Sequence, residues 1–177
     1  MNRLLTSLLA LLLPVVAMAS DCRRVREVSP ETEWRACPAQ RVAEVRIRAV
    51  DPAAALAAGR QRLREHLGDE MDGNPLLLSG RPPHWRVGLL LPAEAPALAG
   101  EGLKIHERPA RQVAALGFRG RWSTVRYAER QQALLRDLQK AGLTSLGSPW
   151  LARYPRRGLP DVLQRSEVLV EITPPGP

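Results

Sequence analysis

Residues 108–172 constrain the fold most tightly. Arg111-Gln112-Val113-Ala114-Ala115-Leu116-Gly117-Phe118 reads as a strand and Arg119-Gly120-Arg121-Trp122-Ser123 as a turn. Residues 124–141 then read as a helix stopped at Gly142, and 149–154 and 165–172 as two more strands. Strands and one helix in this order bury their apolar sides only by packing the helix on a sheet, which points to an α+β fold.

The preceding segment shows the same order. In 41–50, Val45, Ile47 and Ala49 alternate with Glu44, Arg46 and Arg48, the period of a strand covered on one side. Asp51 is a good N-cap and Pro52 suits a first helical turn. The helix expected over 53–67 carries Leu56, Leu63 and Leu67 on one stripe and ends at Gly68. A short run Leu76-Leu77-Leu78, the turn Arg81-Pro82-Pro83 and a strand over 85–91 follow. Residues 93–102 read as a linker and 102–107 as one more strand.

The expected architecture is therefore two strand–helix–strand–strand repeats, about 42–91 and 108–172, within a domain spanning 42–177. They form one twisted sheet, with parallel pairing across each helix, two helices on one face and an open cleft on the other. If Val45, Ile47, Trp85, Val87, Leu89, Val168, Val170 and Ile172 meet the helices, the cleft receives Glu44, Arg46, Arg48, Arg86, Glu167 and Glu171, with Leu90 and Leu169 for apolar contact. Such a mixture suits a small-molecule site, and it equally suits a solvated sheet face.

Residues 1–19 read as a secretory signal peptide: Arg3, an apolar run over 4–17, and the small residues of Ala17-Met18-Ala19. The apolar run is too short and badly flanked for a stable membrane span. The expected location is periplasmic or secreted. Residues 20–41 read as a polar, irregular N-terminal arm, stapled by a disulfide between Cys22 and Cys37. Losing Arg3 lowers the net charge from +8 to +7. The charge does not point to nucleic acid, because the arginines are scattered among acids and only Lys104 and Lys140 are lysines.

Several motifs resemble the SOUL haem-binding proteins, whose two-repeat fold is of the GyrI-like type. Phe118-Arg119-Gly120-Arg121-Trp122-Ser123 resembles their F-S-G-x-W-s turn, Ala152-Arg153-Tyr154-Pro155 their A-R-Y-N-P-P segment, and Gln164-Arg165-Ser166-Glu167-Val168 their R-R-N-E-V strand. Glu44-Val45-Arg46, Gly73-Asn74 and Leu89-Leu90-Leu91-Pro92 match more loosely. The resemblance implies two repeats around a cleft and the binding of haem or a related tetrapyrrole. This chain has no histidine just after the first strand, where the family's axial ligand would stand.

Among His66, His84 and His106, the first two are the better candidates for haem iron, since both are expected near the cleft rim. Arg46, Arg48 and Arg86 suit haem propionates, because a guanidinium grips a carboxylate with two donors. Glu167 completes the candidate binding set. The sequence holds no G-x-S-x-G, H-E-x-x-H, phosphate loop or dinucleotide fingerprint, and no catalytic residue is assigned. Two functions remain: an exported ligand-binding module for haem or another flat, anionic, largely apolar molecule, or a small-molecule hydrolase or sensor using the same cleft. Glu44 and Glu167 would form a carboxylate pair for the hydrolase if their strands were neighbours.

Overall fold

A computed structural model describes residues 22–71, 73–92, 95, 100–120, 122–156 and 158–174. The expected signal peptide lies outside these residues. Nine strands and two helices make an α+β fold: β1 (Arg23–Ser29), β2 (Thr32–Cys37), β3 (Gln40–Arg48), α1 (Pro52–Leu67), β4 (Leu76–Arg81), β5 (His84–Leu91), β6 (Leu103–Arg108), β7 (Arg111–Arg119), α2 (Thr124–Lys140), β8 (Thr144–Tyr154) and β9 (Arg165–Thr173). The strands form a single sheet in the order β1-β2-β7-β9-β8-β4-β5-β3-β6, and every pairing is antiparallel.

The helix boundaries follow from their caps. Asp51 Oδ1 accepts hydrogen bonds from the amides of Ala53 and Ala54 at 2.8 and 2.9 Å, satisfying two of the free donors of α1. Ser123 Oγ accepts from the Arg126 amide at 3.2 Å at the start of α2. Gly142, at φ 65°, carries the chain out of α2 in a conformation that side chains disfavour.

Two features differ from the sequence expectation. Residues 20–41 are not irregular where described: β1 and β2 form a hairpin, and β2 joins the sheet along β7. In β2, Thr32 and Trp34 are buried in alternation with the half-buried Glu33 and Arg35. The parallel pairing across each helix is also absent. β3 and β4 run the same way, but β5 lies between them, and β9 lies likewise between β7 and β8. The hairpin strand returns into the gap and gives each neighbour an antiparallel ladder.

One large apolar core lies between the sheet and the helices. It contains Leu56, Leu63 and Leu67 of α1 and Tyr127, Leu134 and Leu138 of α2. All eight residues expected to face the helices belong to it, Ile47 at its margin. Gly59 permits the close approach of α1, since a Cβ there would lie 2.3–2.7 Å from side-chain atoms of Val87. A second, smaller apolar cluster forms from side chains of opposite strand parity: Cys37, Val42, Leu77, Leu90, Val113, Ala115, Trp150, Ala152 and Leu169. It covers the other face of the same sheet.

Candidate functional site

This second face carries a cavity of about 400 Å³. Leu77, Leu90, Trp150, Ala152 and Leu169 give it an apolar floor, and the Cys22–Cys37 disulfide lies in its wall. The strand registers explain the floor. Leu77 pairs with Ala152, Ala152 with Glu167, and Trp150 with Leu169, so all point the same way. Five arginines (Arg24, Arg35, Arg108, Arg111 and Arg165) line the cavity against two glutamates, Glu33 and Glu167.

Glu167 is fully buried and well satisfied. Arg35 donates to both its carboxylate oxygens, from Nη1 at 3.0 Å and Nη2 at 2.9 Å. The Tyr154 hydroxyl donates to Oε2 at 2.6 Å, and Arg165 also reaches Oε1. Burial pushes the Glu167 carboxyl up, but Arg35, Tyr154 and Arg165 outweigh it and hold the group below its ordinary value. Burial, then the Glu167 charge, pushes the Tyr154 phenol up. Burial works to lower Arg35, yet its bonds to Glu167 and Glu33 hold it above the usual arginine value.

Arg108 and Arg111 occupy a different setting. Their guanidinium carbons lie 4.8 and 5.9 Å from the centroid of the Trp150 ring. Burial lowers Arg108, and burial together with the Arg108 charge lowers Arg111 to about 10. Arg111 donates to Gln40 Oε1 at 2.6 Å and to the Pro109 carbonyl at 3.1 Å. Its Nε is buried without a hydrogen-bond partner among the described residues.

A second hollow of about 240 Å³ shares Leu77, Arg108 and Trp150 with the first and adds Glu44, Ser79, Arg86, Lys104 and His106. The Nδ1 of His106 is buried without a partner among the described residues. A third, more open hollow of about 540 Å³ holds Arg46, Arg48, His84 and Arg86.

The sequence-predicted residues therefore separate. Glu167 lies in the main cavity, and Arg86 lines both the second and third hollows. Arg46 faces Arg86 and Arg48 faces His84 across the β3–β5 ladder, which gathers these four at one end of the sheet. His66 sits on α1, behind the sheet, where a Cβ on Gly100 would lie 2.5 Å from its Nδ1. Glu44 and Glu167 do not pair: β5, β4 and β8 stand between their strands. Arg35, Arg108, Arg111, Trp150 and Tyr154 were not singled out from the sequence. Tyr154 alone had a signal, its place in the Ala152-Arg153-Tyr154-Pro155 motif.

No protein-family model and no curated protein matches the chain. Solved structures do match. The EcmrR C-terminal domain aligns at 10% identity and TM-score 0.63, over 80% of this chain and 96% of that one. SAV2435 bound to tetraphenylphosphonium aligns at 7% identity and TM-score 0.53, over 81% and 94%. A hydrolase from Listeria innocua aligns at 12% identity and TM-score 0.51, over 81% and 92%. At these identities the likeness is one of fold.

Proposed function

We propose that the chain is a small-molecule-binding module. Its βαββ halves, β3-α1-β4-β5 and β7-α2-β8-β9, meet at the β4–β8 ladder, and the ligand lies in the cleft on the face opposite the helices. The observation that carries this reading is the apolar-floored cavity of about 400 Å³ with the buried Glu167 and several half-buried arginines in its wall. A solvated sheet face would not need Leu77, Leu90, Trp150 and Leu169 gathered on it. The disulfide and the leader-like residues 1–19 support a role outside the cytoplasm. Among the described residues no helix is long and apolar enough to cross a membrane.

The ligand is flat, largely apolar and anionic, and the SOUL resemblance makes haem or a related tetrapyrrole the first candidate. SAV2435 holds a cation, but here the buried Glu167 is already matched by Arg35 and Arg165. The surplus of arginine in the cavity favours a negative group. Iron has few donors here: among the described residues lining the first two hollows, His106 is the one histidine, and the Tyr154 hydroxyl donates to Glu167. A porphyrin would therefore be held by its ring and propionates, with His106 as the available imidazole. A hydrolase remains a second reading because the buried Glu167 accepts from the half-buried Tyr154 hydroxyl and one neighbour is a hydrolase. It would require Glu167 to exchange its present partners for substrate.

Titration of the disulfide-bonded protein with haem and with metal-free protoporphyrin tests the reading. The expected result is saturable quenching of tryptophan fluorescence by both, with a shift of the haem Soret band that His106→Ala removes. Absence of quenching by either porphyrin at micromolar concentration overturns the tetrapyrrole assignment.

A further inference from the structure

We propose that Arg108 and Arg111 form an anion subsite, one that receives the acidic group of the ligand while its apolar body lies on Leu77, Leu90 and Leu169. The inference rests on the reading of the cavity as a ligand site and adds which side chains set its charge selectivity.

The arginines of the cavity divide into two kinds. Arg35 and Arg165 are committed to Glu167, with bonds that fill both carboxylate oxygens. Arg108 and Arg111 have no carboxylate in ion-pair contact among the described residues; Glu44 and Glu171 act on Arg108, and Glu171 on Arg111, only at longer range. Both are half-buried and both sit over Trp150. Withdrawing two like charges from water beside one another is costly unless an anion joins them. The Arg111 Nε is a buried donor with no acceptor among the described residues, which is the group an incoming carboxylate, sulfonate or phosphate would satisfy.

The fold holds the pair in place. Arg108 ends β6 and Arg111 opens β7, and only Pro109 and Ala110 separate them. The β6 strand is anchored along β3, where Arg108 pairs with Gln40, and Gln40 in turn accepts from Arg111. The two guanidiniums are thus set by one turn whose ends belong to opposite halves of the sheet order.

Two probes with nearly the same aromatic skeleton separate charge from apolar burial: anilinonaphthalenesulfonate and the neutral phenylnaphthylamine. The native protein should bind the sulfonate about tenfold or more tighter than the neutral probe. Arg108→Gln with Arg111→Gln should remove that preference and keep the neutral probe's affinity, which also shows that the variant is folded. The single Arg108→Gln, which leaves the Arg111 bonds intact, should remove part of it. Arg60→Gln with Arg64→Gln, on the exposed side of α1, should change nothing. Retention of the sulfonate preference in the Arg108/Arg111 variant overturns the subsite and leaves the cavity reading standing. An equal loss in the Arg60/Arg64 variant also overturns it, because net charge alone would then explain the preference. If neither probe binds the native protein, the cavity reading itself fails.

Discussion

Arg35 on β2 and Glu167 on β9 meet across the intervening strand β7 in a bidentate ion pair, with N–O distances of 3.0 and 2.9 Å. Between their strands, β7 presents Ala115 and Gly117 to this face, and Gly117 pairs directly with Glu167. The pair ties the N-terminal hairpin to the strand that carries the C-terminal motif, and both residues line the cavity. Its energetic logic is that of a buried pair: the union of the two charges offsets their loss of water, and removal of one strands the other.

Glu167→Ala should therefore destabilise the protein by about 3–5 kcal/mol, measured as a shift of the urea midpoint at constant slope. Replacing both partners, Arg35→Met with Glu167→Leu, should cost less than the sum of the two single changes. Additive losses would show that the pair is not coupled.

The same pair sets a pH dependence. The folded-state pKa of Glu167 is depressed below its ordinary 4.5, so the unfolded chain takes up the proton first as pH falls. The stabilisation is fully present above about pH 4.5 and is lost as pH falls through the folded value. The difference in melting temperature between the native protein and Glu167→Gln should thus be constant near neutrality and shrink below about pH 4.5. A difference that widens on acidification contradicts the assignment.

Gly59→Ala separates helix propensity from packing. Propensity alone would favour alanine by about 1 kcal/mol in α1. The new methyl group would overlap Val87, whose atoms lie 2.3–2.7 Å from that position, and overpacking of this kind costs about 1–3 kcal/mol. Packing should win, and the variant should melt lower than the native protein. Adding Val87→Ala should not restore the native melting temperature, because the Val87 Cβ that it keeps lies 2.4 Å from the new methyl position.

Reduction of Cys22–Cys37, or its replacement by two serines, should destabilise by about 3 kcal/mol, the chain-entropy value for a loop of this size. Both cysteines line the cavity, so ligand affinity should fall in parallel at temperatures where the reduced protein remains folded. An unchanged affinity would show that the hairpin does not shape the site.

Much of the fold was legible because strand alternation and helix capping are local signals. Asp51-Pro52 located the start of α1 and the turn over 119–123 that of α2, and parity on β3, β5 and β9 sorted the helix-facing residues from Leu90, Glu167 and Leu169. The β1–β2 hairpin was not legible, since Pro30, Pro38 and the charged Glu33 and Arg35 masked a strand whose polar side lines a cavity rather than open water. Strand order was hidden for a related reason: nothing local in β5 or β9 says that each inserts between the two strands flanking a helix. Parity also assigns a face but not a place along it. Arg46 and Arg48 share the parity of Glu44, yet they lie with His84 at the far end of the sheet. Arg35 takes its role from Glu167, and Arg108 and Arg111 theirs from Trp150 and Gln40, all distant in sequence.

The central claim is that the face opposite the helices receives the ligand. Amide chemical-shift mapping during titration with metal-free protoporphyrin tests it most directly. The expected result is a contiguous set of saturating shifts at Leu77, Leu90, Arg108, Arg111, Trp150 and Leu169, with α1 and α2 unaffected. Shifts concentrated on the helices, or none at saturating porphyrin, would contradict it.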